Sequence, residues 1–230
     1  MSLTIESVKT ACLVGRCVLR GAENKTKQLW KMQWVPEHKV LVKGNAGRIY
    51  LMVSRTKDKP GVIKKIGKSE CKGGMRNTMA FYQGGLGGSP SVRTFGIHQL
   101  IAKELKAGNE FEIWGIWSSP VKVQVPGLFE TSEMLVTPSI HCMEDKCRED
   151  YKKIMGDFPP WNYQERGAAW PKDIYEMYQK QIASRKRGGG GAATAKKASK
   201  KKECAACKDG LANQEAHYGG CLKDPAFAEQ

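Results

Sequence analysis

The sequence predicts a mainly β fold with two appended helices, followed by a flexible linker and a small metal-binding module. Three observations carry this prediction. Apolar runs and period-two alternation dominate residues 1–140, helical spacing appears in residues 141–187, and a C-x2-C-x9-H-x3-C array lies near the end of the 230-residue chain. Gly, Ala and Lys dominate residues 188–202, which therefore form the linker to the module at 203–230.

Strand patterns account for most of the first 140 residues. Alternation along residues 29–35 places Trp30 and Trp34 on one face. The turn sequence Gly-Asn-Ala-Gly at residues 44–47 suits a hairpin. The predicted strands are 11–19, 29–35, 40–43, 48–54, 111–117, 121–125 and 133–137.

One helix is predicted inside this β region and two beyond it. The apolar residues of segment 96–106 recur three and four apart, as on one face of a helix. The charged segment 143–155 and the segment 171–186, which opens with a proline, follow as helices. Residues 56–90 have no regular pattern and form a long, basic, Gly-rich loop, whose length favours a functional role.

The Cys and His array has the ligand types and the close pairing of a structural zinc site. Two thiolates two residues apart can hold one ion in a tight turn, and a His with a third Cys nearby completes a tetrahedral Cys3His set. A segment of this size cannot bury a core, so metal binding would supply its folding free energy. The predicted cofactor is therefore Zn²⁺, bound by Cys204, Cys207, His217 and Cys221.

The net charge of +15 is concentrated in two windows, 55–76 and 185–202. Each window holds eight Lys or Arg residues, against two acidic residues in the first and none in the second. Positive charge concentrated in this way suits a phosphate backbone, so the sequence predicts a nucleic-acid partner. Neither window has an apolar helical face, and no run approaches the roughly 20 apolar residues needed to span a bilayer, which argues against a membrane role.

Eight cysteines in a chain of this length, without a secretory signal at its start, favour a reducing, intracellular compartment. The basic clusters at 185–187 and 196–202 also fit a bipartite nuclear signal, so the nucleus, a viral replication site and a virion are the expected locations. A second metal site stays open, with His141, Cys142 and Cys147 as ligands and either Cys71 or His98 completing it.

The order of elements, with several strands, one helix, a Gly turn and two more strands, is that of an OB-fold, a five-stranded barrel. The segment 99–118, QLIAKELKAGNEFEIWGIWS, resembles the corresponding passage of bacterial and phage-type single-stranded DNA-binding proteins. The resemblance implies a groove where bases stack on aromatic rings while basic residues contact phosphates. The residues at matching positions are Trp30, Trp34, Tyr50, Trp114 and Trp117 for stacking, and Arg48, Arg55, Lys64 and Lys65 for phosphate.

The tail array is similar in ligand type to the CCHC zinc knuckles of viral nucleic-acid-binding proteins, although its middle gap is longer and its last gap is shorter. The similarity implies that Tyr218 can stack on a base. Lys200, Lys201 and Lys202 stand directly before the array and would contact phosphate, so that the tail acts as a tether.

No enzymatic motif is visible in the sequence. The chain lacks a P-loop run, H-E-x-x-H and G-x-S-x-G, and its four histidines are scattered. We therefore expect a nonenzymatic nucleic-acid-binding protein that takes single-stranded DNA, with RNA as an open alternative. A second interpretation is a structural virion or minor capsid protein, an assembly component whose basic tail contacts packaged genome. In either case the aromatic, Pro-rich segment 158–170 is a candidate arm for a protein partner or a homo-oligomer.

Overall fold

The computed structural model describes residues 3–21, 28–43 and 48–188. The chain divides into two units, Met1–Lys186 and Arg187–Gln230, and nearly all of the described residues belong to the first. The hairpin turn predicted at 44–47, the linker from residue 189 onward and the zinc module at 203–230 lie outside the described residues.

An open antiparallel sheet forms the centre of the described fold. Its order is β2-β1-β5-β3-β4, and each neighbouring pair is antiparallel. The edge strands β2 and β4 do not pair with each other, so the prediction of a closed OB-like barrel is wrong. The strands are β1 (Cys12–Leu19), β2 (Trp30–Trp34), β3 (Arg48–Arg55), β4 (Val62–Lys68) and β5 (Glu110–Trp117).

The last two predicted strands form a hairpin apart from this sheet. β6 (Val121–Pro126) and β7 (Thr131–Val136) pair only with each other in the part of the chain that the structure describes. An OB barrel closes because the strands that follow its helix return to the earlier ones. Here only β5 returns, and it lies between β1 and β3, where both of its edges are already paired.

Five α-helices accompany the sheet in the described ranges, so the fold is mixed α/β and not mainly β. None of them is both long and apolar enough to cross a membrane. The helices predicted at 96–106, 143–155 and 171–186 are confirmed, with somewhat different ends. The helices are α1 (Lys39–Lys43), α2 (Gly74–Gln83), α3 (Val92–Lys106), α4 (Ile140–Met155) and α5 (Lys172–Gly188).

Two predictions of local structure are wrong. The apolar segment 40–43 is the short helix α1 and not a strand; Val40 is 82% exposed, and Val42 is the residue of α1 that is buried in the core. The irregular loop predicted at 56–90 contains both β4 and α2. The sequence of β4, VIKKIGK, carries three lysines and a glycine, which interrupt the alternation that identifies a half-buried strand.

Alternation along β3 divides its side chains between two hydrophobic clusters, one on each face of the sheet. Tyr50 and Met52 belong to the cluster that includes residues of α2, α3 and α5. Ile49, Leu51 and Val53 belong to the cluster that includes Ile5 and residues of α4. Burial of each large apolar side chain contributes about 1.5–3 kcal/mol. The central strand β3 is therefore fixed from both faces, and its register determines where Tyr50 lies.

The segment 158–170 packs on this fold and is not a free docking arm. Trp161 is 6% exposed, and its ring stacks on Phe111 with 5.4 Å between ring centroids. Its backbone N–H donates to the carbonyl oxygen of Lys64 at 2.8 Å, against the outer edge of β4. The ring of Trp170 occupies the space beside Gly96, where a Cβ would lie 2.4 Å from a ring carbon. The segment predicted as an arm is thus anchored to the fold by its aromatic side chains, while Gln164 and residues 166–169 are exposed.

Candidate functional site

A cleft of about 690 Å³ opens over the sheet beside β3 and β4. Residues of α2, α3 and α4 together with Gln164 and Glu165 complete its walls, so it gathers groups that lie far apart in the sequence. Most of its side chains are polar or charged. The polar and charged lining includes Tyr50, Lys65, Lys68, Glu70, Tyr82, Arg93, Glu144, Arg148 and Glu165.

Two tyrosines form the innermost polar part of the cleft. The hydroxyl oxygens of Tyr50 and Tyr82 lie 2.9 Å apart, and the two residues are 3% and 6% exposed. Burial raises the pKa of both phenols, because it disfavours the phenolate form. Both are therefore neutral at physiological pH. When one hydroxyl donates its proton to the other, the second keeps a proton that it can donate to a ligand.

A glycine on the neighbouring strand makes room for Tyr50. Gly67 lies opposite Tyr50 in the pairing of β3 with β4. A Cβ on Gly67 would lie 2.4 Å from both Cζ and Oη of the Tyr50 ring. That distance is far inside van der Waals contact, so only glycine allows the ring to lie across β4 in this position.

Lys65 is an almost buried lysine in the cleft wall, with 7% exposure. Burial lowers its pKa from 10.5 to about 8, although the nearby carboxylate of Glu165 partly opposes this shift. No carboxylate in the described residues comes within ion-pair distance of its ammonium group. Tyr50 and Met52 are two residues apart on β3 and therefore share one face of the sheet. Lys65 pairs with Met52 in the register of β3 with β4, so its side chain lies on that same face. A lysine with this pKa can lose its proton near neutral pH.

Glu144 brings a carboxylate to the cleft from α4. It is 8% exposed, with Nη2 of Arg148 at 3.4 Å and Nζ of Lys68 at 3.8 Å. Burial raises the pKa of Glu144, and these two cations oppose the rise. Arg148 also forms ion pairs with Asp145 and Glu165, so its charge is already satisfied inside the protein.

Arg93 supplies an available positive charge at the cleft rim. It lies in the first turn of α3 and is exposed, and the described residues hold no ion-pair partner for it. By contrast, Lys68 is shared between Glu70 at 3.3 Å and Glu144. The cleft thus offers two unpaired cations, Arg93 and Lys65, together with two tyrosine hydroxyls. This set suits a tetrahedral oxyanion such as a phosphate group.

The described residues contain no group of three or more His, Cys, Asp and Glu side chains that could hold a metal ion. The open second metal site is therefore not formed there. His98 is buried, its Nδ1–H donates to the carbonyl oxygen of Tyr82 at 2.9 Å, and its ring stacks on Trp30. His141 pairs with Glu70 at 2.6 Å.

The predicted stacking groove is not present on the sheet. Trp30 is fully buried and its indole N–H donates to the carbonyl oxygen of His98 at 3.1 Å, so no base can reach it. Trp34 and Trp117 pack with the cluster that contains Tyr50. Trp114 packs on the opposite face and donates to Glu112 at 2.9 Å. Rings on opposite faces cannot form one stacking surface.

The predicted phosphate contacts divide into three groups. Arg55 pairs with Glu6 at 2.6 Å and Glu112 at 3.4 Å, and Lys64 pairs with Glu104 at 3.2 Å, so both are held by the fold. Lys65 lines the cleft, as does Tyr50, which was predicted for stacking. Arg48 is buried at the start of β3. The remaining predicted residues lie outside the described residues: Lys200, Lys201, Lys202, Cys204, Cys207, His217, Tyr218 and Cys221.

Sequence reasoning missed Tyr82, Arg93, Glu144 and Arg148. A signal for Glu144 was present: Ile140, Met143, Cys147 and Tyr151 mark the buried stripe of α4, and Glu144 lies within that stripe. A carboxylate on the apolar side of a helix needs partners in the fold or a ligand. No comparable signal distinguishes Arg93, which reaches the cleft because α3 begins beside it.

No protein-family model matches the sequence, and no curated protein matches it. Among solved structures, the restriction endonuclease HPY188I in complex with product DNA is similar, with a TM-score of 0.37, 17% identity and coverage of 69% of this chain and 84% of that chain. A mutant of EndoII from bacteriophage T4 is also similar, with a TM-score of 0.38, 16% identity and coverage of 65% and 90%.

Two expectations from the sequence are corrected. The sheet is open and neither neighbour is described as an OB-fold single-stranded DNA-binding protein, so that resemblance is wrong. Both neighbours are named as endonucleases, against the expectation of a nonenzymatic protein, and the tail that resembles zinc knuckles lies outside the described residues. At TM-scores below 0.5 the likeness does not assign an activity to this chain. The chemistry of the cleft itself is the basis for the function considered next.

Proposed function

We propose that this chain is a nuclease, an enzyme that hydrolyses phosphodiester bonds of nucleic acid in the cleft formed by β3, β4, α2, α3 and α4. One observation carries the proposal: Lys65, with its pKa lowered to about 8, shares the cleft with the paired hydroxyls of Tyr50 and Tyr82. This places a proton acceptor and neutral hydrogen-bond donors around a space that fits a phosphate group. The net charge of +15 favours a polyanionic substrate.

The roles of the side chains follow from their protonation states. Near pH 8 about half of the Lys65 side chains are neutral amines, which can accept the proton of an attacking water molecule. The water oxygen then bonds to phosphorus, the bond to the leaving sugar oxygen breaks, and that oxygen takes a proton from solvent. Tyr50 and Tyr82 are neutral, so they do not act as bases; one hydroxyl donates to the other, and the second donates to a phosphate oxygen.

Charge that develops on the phosphate is met by groups fixed before the reaction. Arg93 lies at the rim with its charge unpaired, and the guanidinium plane suits contact with two phosphate oxygens.

Replacement of Lys65 tests the proposal. We expect Lys65→Met to lower the cleavage rate of plasmid DNA or a labelled oligonucleotide by about 100-fold or more, the range for loss of a general base. Lys65→Arg keeps the positive charge but cannot lose its proton, so it should be equally impaired if Lys65 is the base. The matched control is Lys64→Met, since Lys64 pairs with Glu104 and does not line the cleft.

Several substrates and ions should be compared in the same assay. Duplex DNA, single-stranded DNA and RNA of one sequence, each with Mg²⁺, with Zn²⁺ or with EDTA, would define the substrate class and the metal requirement. Cleavage by Lys65→Met at the rate of the unmodified protein would contradict the proposal. So would the absence of cleavage of all three substrates by a protein that binds them.

A further inference from the structure

Arg48 is a buried cation for which the described residues hold no partner. It is 2% exposed, and its Nε and Nη1 atoms make no hydrogen bond within the described part of the chain. The described residues place no carboxylate within ion-pair distance of it. Buried arginines are ordinarily paired, because removing an unpaired guanidinium from water is costly. This residue therefore needs an explanation that the cleft chemistry does not give.

Trp117 lies directly opposite Arg48, and the two residues pair in the register of β3 with β5. The indole Nε1 of Trp117 is also buried, and it finds no hydrogen-bond acceptor among the described residues. Two neighbouring residues on one face of the sheet thus present N–H donors with nothing to accept them. Unsatisfied buried donors are rare in folded proteins, and a missing ligand is one recognised reason for them.

A separate pocket of about 460 Å³ reaches Arg48, and it is called the Arg48 pocket below. Its other polar side chains include Ser69 and Lys72. Lys72 is exposed and has no ion-pair partner in the described ranges. Glu70 also lines the pocket, but its carboxylate is engaged by Lys68 at 3.3 Å and His141 at 2.6 Å. The charges left unpaired in the pocket are both positive.

We propose that the Arg48 pocket binds a phosphate group through the guanidinium of Arg48. Guanidinium groups bind tetrahedral oxyanions by parallel N–H donors, and Lys72 adds a second positive charge at the mouth of the pocket. Glu70 lines both this pocket and the cleft, so the two sites adjoin. The phosphate is that of a nucleic-acid backbone next to the bond in the cleft. This identification rests on the proposed function, whereas phosphate binding itself does not.

The first arm of the test uses inorganic phosphate and requires no catalysis. Thermal unfolding of the full chain is followed while phosphate is added at constant ionic strength, with chloride as the balancing anion. We expect the unfolding temperature to rise with phosphate, because the ligand binds only the folded state. The rise should be lost in Arg48→Met and reduced in Lys72→Met. Lys153→Met, which removes an exposed charge on α4, should keep it.

Arg48→Met serves as its own folding control. Without phosphate the charge of Arg48 is unpaired and buried, so we expect Arg48→Met to be at least as stable as the unmodified protein when both are measured without phosphate.

The second arm identifies the source of the phosphate. Binding of a fluorescent oligonucleotide is measured in EDTA over a range of salt concentrations. We expect Arg48→Met to weaken binding and to lower the salt slope by about one relative to Lys153→Met, as the loss of one phosphate contact predicts. Stabilisation by inorganic phosphate with no change in oligonucleotide binding would mean a free-phosphate site and would overturn the backbone assignment.

Failure of the two proposals can be told apart. Loss of the phosphate effect in Arg48→Met, in a protein that never cleaves nucleic acid, would support the Arg48 pocket and contradict the nuclease. Active cleavage with no stabilisation by phosphate, and with equal oligonucleotide binding in Arg48→Met and Lys153→Met, would overturn the Arg48 pocket alone.

Discussion

The side-chain amide of Asn162 forms two hydrogen bonds with the backbone of Ile66. Its Oδ1 accepts from the Ile66 N–H at 2.9 Å, and its Nδ2 donates to the Ile66 carbonyl oxygen at 2.9 Å. Asn162 therefore pairs with β4 much as a neighbouring strand would. Because Asn162 is fully buried, both backbone groups of Ile66 are satisfied without water on the edge strand that carries Lys65 and Gly67.

Removal of this amide should destabilise the protein. We expect Asn162→Ala to lower the free energy of unfolding by about 2–4 kcal/mol, because two buried backbone groups would lose their partners. Urea unfolding measures the change. Asn77→Ala on the exposed side of α2 is the control and should stay within about 0.5 kcal/mol of the unmodified protein. Equal stability of the two variants would contradict the role given to Asn162.

A methyl group on Gly67 should displace the Tyr50 ring. We expect Gly67→Ala to reduce cleavage and to lower stability by about 1–3 kcal/mol, as is usual when a packed site is overfilled. Because the hydroxyl of Tyr50 is one of the atoms that the new Cβ would meet, Gly67→Ala should cost less stability in a Tyr50→Phe background. Additive effects of the two changes in urea unfolding would argue against direct contact.

The lowered pKa of Lys65 predicts how stability changes with pH. Its pKa is about 8 in the folded protein against 10.5 for an unperturbed lysine. Between these values the unfolded state holds a proton that the folded state has released, so the free energy of unfolding rises with pH by a total of about 3 kcal/mol from this group. Below pH 8 Lys65 is charged in both states, and the full cost of burying its charge lowers the free energy of unfolding.

Comparison with Lys65→Met isolates this contribution from those of other groups. The difference in the free energy of unfolding between the two proteins should change from pH 7.5 to pH 10.5, with the unmodified protein gaining. A difference that stays constant over this range would mean that Lys65 keeps an ordinary pKa.

The zinc site predicted for the tail can be tested by metal analysis. We expect one Zn²⁺ per chain in the purified protein, and its loss in Cys207→Ser, because three ligands hold the ion far less tightly than four. Proteolysis should then cut the tail faster while residues 3–186 stay resistant. Equal protection of the tail in both proteins would contradict metal-dependent folding.

The sequence predicted strands where apolar residues alternate or run together, as in β1, β3 and β5. It could not predict that β5 pairs with both β1 and β3, because pairing depends on contacts between residues far apart in the chain. The three lysines of β4 interrupt its apolar pattern, so the sequence did not identify it as a strand. One of these lysines is Lys65, which lines the cleft. Tyr50 and Lys65 could be predicted as site residues from their residue types. Their partners in the cleft come from three different helices, and only the folded chain brings those helices together.

Along the chain, the hairpin of β6 and β7 lies between two groups of residues that line the cleft. Its tip carries Leu128 and Phe129, which are 95% and 98% exposed, so a protease that prefers aromatic residues has ready access there. One cut after Phe129 would leave Tyr50, Lys65, Tyr82 and Arg93 on one fragment and Glu144 on the other. Helix α4 and residues 159–163 pack on the sheet through buried contacts. We therefore expect the two fragments to reassemble when they are supplied as separate chains. With such fragment complementation, the complete cleft would form only after the two fragments are mixed.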